Sequence, residues 1–273
     1  MRKYYIKGIK GGKMFSVSVI VPNYNNEKYL ECCLNSILSQ TYPIKEIVVY
    51  DDCSNDHSID ILKEFAAKDS RVQVIYGKKN VGVSVARDTA IQNTTSDYVC
   101  MLDADDFFYT NEKIENEMKT VEQIFSETGE HTIAFSQTVD VDEAGTVIGA
   151  VSPVDLSGNE RFKIVTRLYK NHMPRDYCFP KELYNQCGGY TKDLHLYEDW
   201  ELNIKFLGYT RFVYSGSYGT AYRHKEGGLS SVNYTKQLKT KVQIIKRYKV
   251  SVKESVCFYA IAIAAFLKNC LKG

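Results

Sequence analysis

The apolar run Tyr98-Val99-Cys100-Met101-Leu102 stops abruptly at Asp103-Ala104-Asp105-Asp106. Two carboxylates about 5 Å apart repel by roughly 3 kcal/mol at an effective dielectric near 20, so a buried strand ending in such a group calls for a compensating charge. A divalent cation supplies one. Carboxylate oxygens, with diphosphate oxygens and water completing the shell, suit Mg²⁺ or Mn²⁺. The plainer use of the same residues is turn or helix capping by Asp106 and its neighbours, and an isolated D-x-D does not decide between the two.

Three further constellations bear on chemistry. Val19-Ile20-Val21-Pro22-Asn23-Tyr24-Asn25 and Val48-Val49-Tyr50-Asp51-Asp52-Cys53-Ser54 both read as strands that end in groups suited to a nucleoside. Tyr24 offers a flat ring to a base, and the Asp52 carboxylate can accept from an imide N–H. Capping of the following helix by Asp51, Asp52, Ser54 or Asp56 is the competing use. Gly188-Gly189-Tyr190 precedes Tyr197-Glu198-Asp199-Trp200-Glu201-Leu202, acidic residues at a helix start that the helix dipole would favour with or without catalysis. In Tyr222-Arg223-His224, just before Lys225-Glu226-Gly227-Gly228, His224 could complete a metal shell or approach a diphosphate, and Arg223 could neutralise phosphate charge. A plain surface-loop histidine fits the same pattern.

The elements that must position these groups follow from hydrophobic period. Strand-like runs at 17–21, 47–50, 72–76 and 98–102 alternate with helical stretches carrying Leu30, Cys33, Leu34 and Ile37, then Ile61, Leu62 and Phe65, then residues 84–91. That alternation predicts an α/β fold whose mostly parallel sheet has helices on both faces. In such sheets ligands bind beyond the carboxyl ends of the strands, where the polar groups above fall. A helix with Ile114, Met118 and Val121 facing inward follows, then strands at 132–136 and 146–151 around an Asp142-Glu143-Ala144-Gly145 turn.

Composition narrows the classes. The 273 residues are 44% hydrophobic with 5 prolines, which argues against disorder. Thirty-five basic against 33 acidic side chains leave +2, so no nucleic-acid partner is expected. The 8 cysteines show no CxxC pair, which predicts free thiols in a reducing cytosol. Residues 1–7 are basic without the apolar core of a secretory signal and read as an uncleaved arm. From Lys236 onward a lysine-rich stretch leads into an apolar run at 256–267, too short to span a bilayer. It suits peripheral contact with an anionic membrane surface, or equally a core or homo-oligomer interface.

Taken in order, these motifs resemble the family 2 glycosyltransferases of the GT-A fold. The resemblance runs from Val17 to about Tyr109. It includes Ser39-Gln40-Thr41-Tyr42, Asn80-Val81-Gly82-Val83-Ser84-Val85-Ala86-Arg87-Asp88 and Asp97-Tyr98, besides the segments already quoted. It implies a nucleotide-sugar site in which Pro22, Tyr24 and Asp52 surround the base, Arg87 and Arg223 lie near the diphosphate, and Asp103 and Ala104 serve the ribose side. Asp105 and Asp103 would hold Mn²⁺ or Mg²⁺, with His224 as the further ligand its own motif offers, and Asp199, with Glu198 as neighbour or alternative, would be the general base of an inverting transfer. Asp88 and Cys53-Ser54 depart from the family's usual Asn and Gly-Ser.

With the charge and hydropathy of the two ends, the chain is expected to divide into a basic arm at 1–15, a GT-A domain at 16–230 and a basic and apolar helical extension at 231–273. Within the domain, the donor half spans about 16–110 and the acceptor half about 111–230. The expected donor is a UDP-sugar, and the expected acceptor a glycan or lipid-linked glycan in polysaccharide or glycolipid assembly at the cytoplasmic side of the membrane. Arg175, Asp176 and Tyr177 are acceptor candidates. Two rivals are a phosphatase or phosphotransferase with Asp103 as nucleophile, and a non-catalytic nucleotide-sugar or glycan-binding module. The first leaves the signals at 19–25 and 51–52 unused; the second leaves Asp103, Asp105 and Asp199 without purpose. A nicotinamide-dependent enzyme would need a G-x-G-x-x-G turn that the chain lacks.

Overall fold

The computed structural model describes residues 14–150, 156, 159–167, 176–225 and 234–270; most of the basic arm, Arg175 and Glu226-Gly227-Gly228 lie outside the described residues. The first half alternates as its hydrophobic period predicts: β1 (Val17–Asn23), α1 (Glu27–Leu38), β2 (Ile44–Asp51), α2 (Ser58–Lys68), β3 (Val72–Tyr76), α3 (Val83–Gln92) and β4 (Tyr98–Met101). Strand β1 pairs in parallel with β2 and β4, and β2 with β3. Parallel neighbours need crossover connections, and the helices provide them.

The second half contains β5 (Phe107–Phe108), α4 (Lys113–Thr128), β6 (Ile133–Val141), β7 (Val147–Ala150), α5 (Glu160–Thr166), β8 (Cys178–Pro180), α6 (Lys181–Gln186), α7 (Glu198–Phe206), β9 (Phe212–Arg223), α8 (Tyr234–Arg247) and α9 (Val252–Cys270). Among the described residues the strands form one nine-stranded sheet in the order β3-β2-β1-β4-β8-β6-β9-β5, with β7 on β6. The parallel block ends at β4. Beyond it, β8 is antiparallel to both β4 and β6, β5 is antiparallel to β9, and β6 and β9 are parallel. The expected α/β sheet is thus parallel in its N-terminal half and mixed beyond it.

Successive strand residues point to opposite faces, and the core divides accordingly. Val17, Val19, Val21, Ile47 and Val49 pack with Leu30, Leu34 and Ile37 of α1, Leu62 and Phe65 of α2, and Ile114 and Met118 of α4. Ile20, Val48, Val99 and Met101 pack with Ala86, Ala90 and Ile91 of α3 and with Trp200 and Leu202 of α7. Cover on both faces is why β1 is buried along its whole length.

One polar group is enclosed within this core. Lys113, on α4, donates to Glu117 Oε2 at 3.1 Å, to Cys100 Sγ at 3.0 Å and to the Asp176 carbonyl. Glu117 also accepts from Ser136 Oγ at 2.7 Å and from the Cys178 N–H at 3.0 Å. Burial would drive Lys113 neutral, but Cys100 and Glu117 hold it well above the ordinary lysine value. Cys32, Cys33, Cys53, Cys100, Cys178, Cys187 and Cys257 are free thiols.

The C-terminal helices pack on the domain rather than trailing from it. Phe258 stacks on Trp200 at 6.0 Å, and Ile244, Ile245 and Ala262 are buried. Val252, Val256, Tyr259 and Ile263 of α9 face solvent. Among the described residues no helix is long and apolar enough to cross a membrane.

Candidate active site

Sheet order brings the sequence-distant motifs to one place. Helix α3 starts at Gly82, whose φ of +85° is a left-handed value that glycine adopts without strain. Asp52, following β2, accepts from the Val81 N–H at 2.7 Å and the Gly82 N–H at 2.9 Å. Its carboxylate therefore holds the entry to α3, a use that sequence reasoning did not foresee. The neighbouring acids order local turns: Asp51 accepts from Asn23 Nδ2, Ser54 N and Ser54 Oγ, and Asp56 from the Glu27 and Ser58 N–H groups. Pro22 is buried in β1, and the Tyr24 side chain, 46% exposed, stands beyond the strand end.

Once α3 is anchored, Arg87 projects from it into a cluster of carboxylates. It is 2% exposed. Nη2 donates to both oxygens of Asp103, at 2.7 and 3.0 Å, while Nη1 donates to Glu198 Oε1 at 2.8 Å and Asp199 Oδ1 at 2.9 Å. Burial pushes the guanidinium toward losing its proton, but Asp103, Asp199, Tyr190 and Glu198 hold it well above its ordinary value. Its Nε is buried with no hydrogen-bond partner. The Tyr190 hydroxyl donates to the same Asp199 Oδ1 at 3.2 Å. Both donors engage one oxygen of Asp199, and among the described residues Oδ2 accepts no hydrogen bond. A carboxylate oriented through one oxygen keeps the other available for a proton.

Glu198 and Asp199 open α7, where the helix dipole favours their charge. Tyr197, just before them, has φ +63°. A bulky residue in the left-handed region is costly and is held there only by its surroundings. The turn delivers both acids toward Arg87.

The acidic turn after β4 is the second centre. Carboxylate oxygens of Asp103, Asp105 and Asp106 lie within 4.8 Å of one another. Asp103 is paired with Arg87, Asp105 Oδ2 with Lys225 Nζ at 2.8 Å, and Asp106 Oδ1 with the Arg223 N–H at 2.8 Å. Ala104 is buried between them. Three carboxylates offering only oxygen suit a hard divalent cation, so these residues fit one. Asp106, for which the sequence left capping and metal binding open, belongs to this set. Lys225, two residues beyond Arg223 in the same motif, reaches the cluster as Arg87 also does, a role its place in the sequence did not signal.

Arg223 grips backbone instead: Nε donates to the Asp105 carbonyl at 2.8 Å and Nη1 to the Glu143 carbonyl at 2.7 Å. His224 Nε2 is 3.0 Å from Asp140 Oδ1, and the three-carboxylate group does not include it. Asp176 and Tyr177, the acceptor candidates, are buried: Thr220 donates to the Asp176 carboxylate, and the Tyr177 hydroxyl to Asn203.

Glycosyltransferase TuaG of Bacillus subtilis (strain 168), whose name connects it with teichuronic acid biosynthesis, is 39% identical over 103 residues, 38% of this chain and 40% of its own length. Glycosyltransferase GlyA of Streptococcus pneumoniae serotype 4 is 47% identical over 91 residues, 33% of this chain and 13% of its own. The chain thus spans well under half of either relative. Among solved structures, S. aureus TarS 1-349 in complex with UDP-GlcNAc superposes with a TM-score of 0.63 at 21% identity, covering 93% of this chain and 81% of that one. That is a likeness of fold. The model of Glycosyl transferase family 2 matches residues 18–172, from β1 through the acidic turn and beyond. With more than half of its length inside that match, the chain belongs to glycosyltransferase family 2.

Proposed function

We propose that this glycosyltransferase moves a sugar, with inversion, from a UDP-sugar to an acceptor hydroxyl in the assembly of a cell-surface polysaccharide or glycolipid. The observation that carries the reading is Arg87, which ties Asp199 to Asp103 although 96 positions separate them in sequence. Asp199 takes the acceptor proton at Oδ2 as the acceptor oxygen forms its bond to the anomeric carbon. The bond from that carbon to the diphosphate oxygen breaks, and its electron pair leaves with UDP. Base and leaving group on opposite faces of the sugar make a single displacement inverting.

Tyr24 and Asp52 are assigned to the uridine, with Pro22 shaping the strand end beneath them. Lys225 is assigned to the diphosphate side, while Arg223 braces the Asp105 backbone beneath it. Mn²⁺ or Mg²⁺ held by Asp103, Asp105 and Asp106 would offset charge growing on the departing diphosphate. The titles of two TarS structures name UDP and UDP-GlcNAc as bound molecules, which supports the donor class. The name of TuaG supports the polysaccharide context. The exposed apolar residues of α9 would suit contact with a membrane that carries a lipid-linked acceptor.

The test is Asp199→Asn, assayed by UDP release from a panel of UDP-sugars with acceptor glycans. Loss of a general base costs roughly 10²- to 10⁴-fold, while thermal stabilisation by UDP with Mn²⁺ should persist. Turnover within tenfold of wild type would remove Asp199 from the base role.

A further inference from the structure

We infer that Arg167 and Lys241 form a binding site for a phosphate ester carried by the acceptor, beside the catalytic helix. The inference rests on the glycosyltransferase reading above and adds a class of acceptor to it. Arg167 follows α5, and its Cζ lies 4.7 Å from the centroid of the Tyr197 ring and 5.4 Å from that of Trp200. Lys241, on α8, places Nζ 4.8 Å from the same Tyr197 ring and 5.6 Å from that of Tyr234. The Tyr197 hydroxyl donates to Gln237 Oε1 at 2.6 Å, which fixes the ring. Two cations, one just past α5 and one on α8, therefore lie against one aromatic side chain, and that side chain belongs to the residue immediately before Glu198 and Asp199.

Neither cation has a carboxylate partner among the described residues. Their neighbours do: Arg247 pairs with Glu201 at 3.2 Å and Asp193 at 3.1 Å, and Arg161 pairs with Glu254 at 3.1 Å. Each cation is attracted to the ring, but the ring does not cancel the repulsion between them. Burial, and then the charge of Arg167, push Lys241 down to about 8. A pair of cations with no carboxylate partner among the described residues is what an anionic group would complete. A planar guanidinium and a compact ammonium together suit the oxygens of a phosphate mono- or diester.

The protein is first saturated with UDP and Mn²⁺, so that the diphosphate site is filled, and then titrated by calorimetry with sn-glycerol 1-phosphate and with glycerol. In parallel it is sedimented with phosphatidylglycerol and with phosphatidylcholine vesicles. Wild type should bind glycerol phosphate, or the anionic vesicles, at least about tenfold more tightly than the uncharged counterpart. Arg167→Gln and Lys241→Met should each remove most of that preference while binding UDP normally. A preference for the soluble ester marks a free or polymer phosphate, and one seen only with vesicles marks a lipid phosphate. No preference in either arm, or one kept by a variant that binds UDP normally, overturns the site. Failure of wild type to bind UDP would instead strike the donor reading.

Discussion

Replacing Arg87 with glutamine tests the core of the site most directly. The side chain is 2% exposed and makes four contacts of 2.7–3.0 Å to three carboxylates. Hydrogen bonds to charged groups are worth about 1.5–3 kcal/mol each but are not additive within one network. Removing one partner of a buried ionic group costs about 3–5 kcal/mol, because the remaining charges are left uncompensated. Side chains of Asp103, Glu198 and Asp199 keep 15%, 8% and 21% of their surface, so water recovers part of the loss. The expected cost is about 3 kcal/mol. With a urea m-value of roughly 3 kcal/mol/M, at the upper end for small proteins, the equilibrium unfolding midpoint should fall by about 1 M. Arg87→Lys restores a point charge but not the two-pronged fork, so it should recover less than half of the loss. A midpoint for Arg87→Gln within 0.2 M of wild type, or a lysine variant equal to wild type, would refute the claim that this fork joins the two acidic motifs.

Two further outcomes follow from the geometry. Gly189 has φ +57°, and a Cβ there would lie 2.7–2.8 Å from atoms of the Tyr184 ring; Gly189→Ala should cost about 1–3 kcal/mol in chemical denaturation, with a difference under 0.5 kcal/mol counting against the close approach. Glu46 is desolvated, yet bonds from the Thr95 N–H, Ser18 and Thr95 hydroxyls carry its pKa below 4.5. A lowered folded pKa makes its stabilisation complete above the unfolded value and lost as pH falls through the folded one. The melting-temperature gap between wild type and Glu46→Gln should therefore be wide at pH 7 and narrow below about pH 4.5; a gap that grows in acid would contradict the bonding.

The N-terminal half was legible because its strands and helices are long enough to display their periods and its acids sit where strands end. Expected strands at 17–21, 47–50 and 72–76 lie within β1, β2 and β3. The strands beyond were harder for a physical reason. With two and three residues, β5 and β8 are too short to show any period. Strand β9 is interrupted by Tyr214-Ser215-Gly216-Ser217-Tyr218, where its pairing with β6 slips register and Gly216 takes φ +81°. Partnerships within the site were equally hidden. The bidentate hold of Asp52 on Val81 and Gly82, and that of Arg87 on acids at 103 and 198–199, depend on which strand lies beside which, and no local pattern encodes that.

The position of β8 has a consequence for how the molecule is made. Cys178–Pro180 forms the seam between β4 and β6, and the Cys178 N–H is one of the donors that Glu117 receives. Until that stretch leaves the ribosome, two neighbouring strands have no mate along facing edges, and an acid in the interior is short of a donor. Unpaired edges of this kind invite association with other nascent chains. The portion matched by the family model stops at residue 172, just short of the seam, so a fragment cut there would carry the recognisable signature without the piece that fastens it shut.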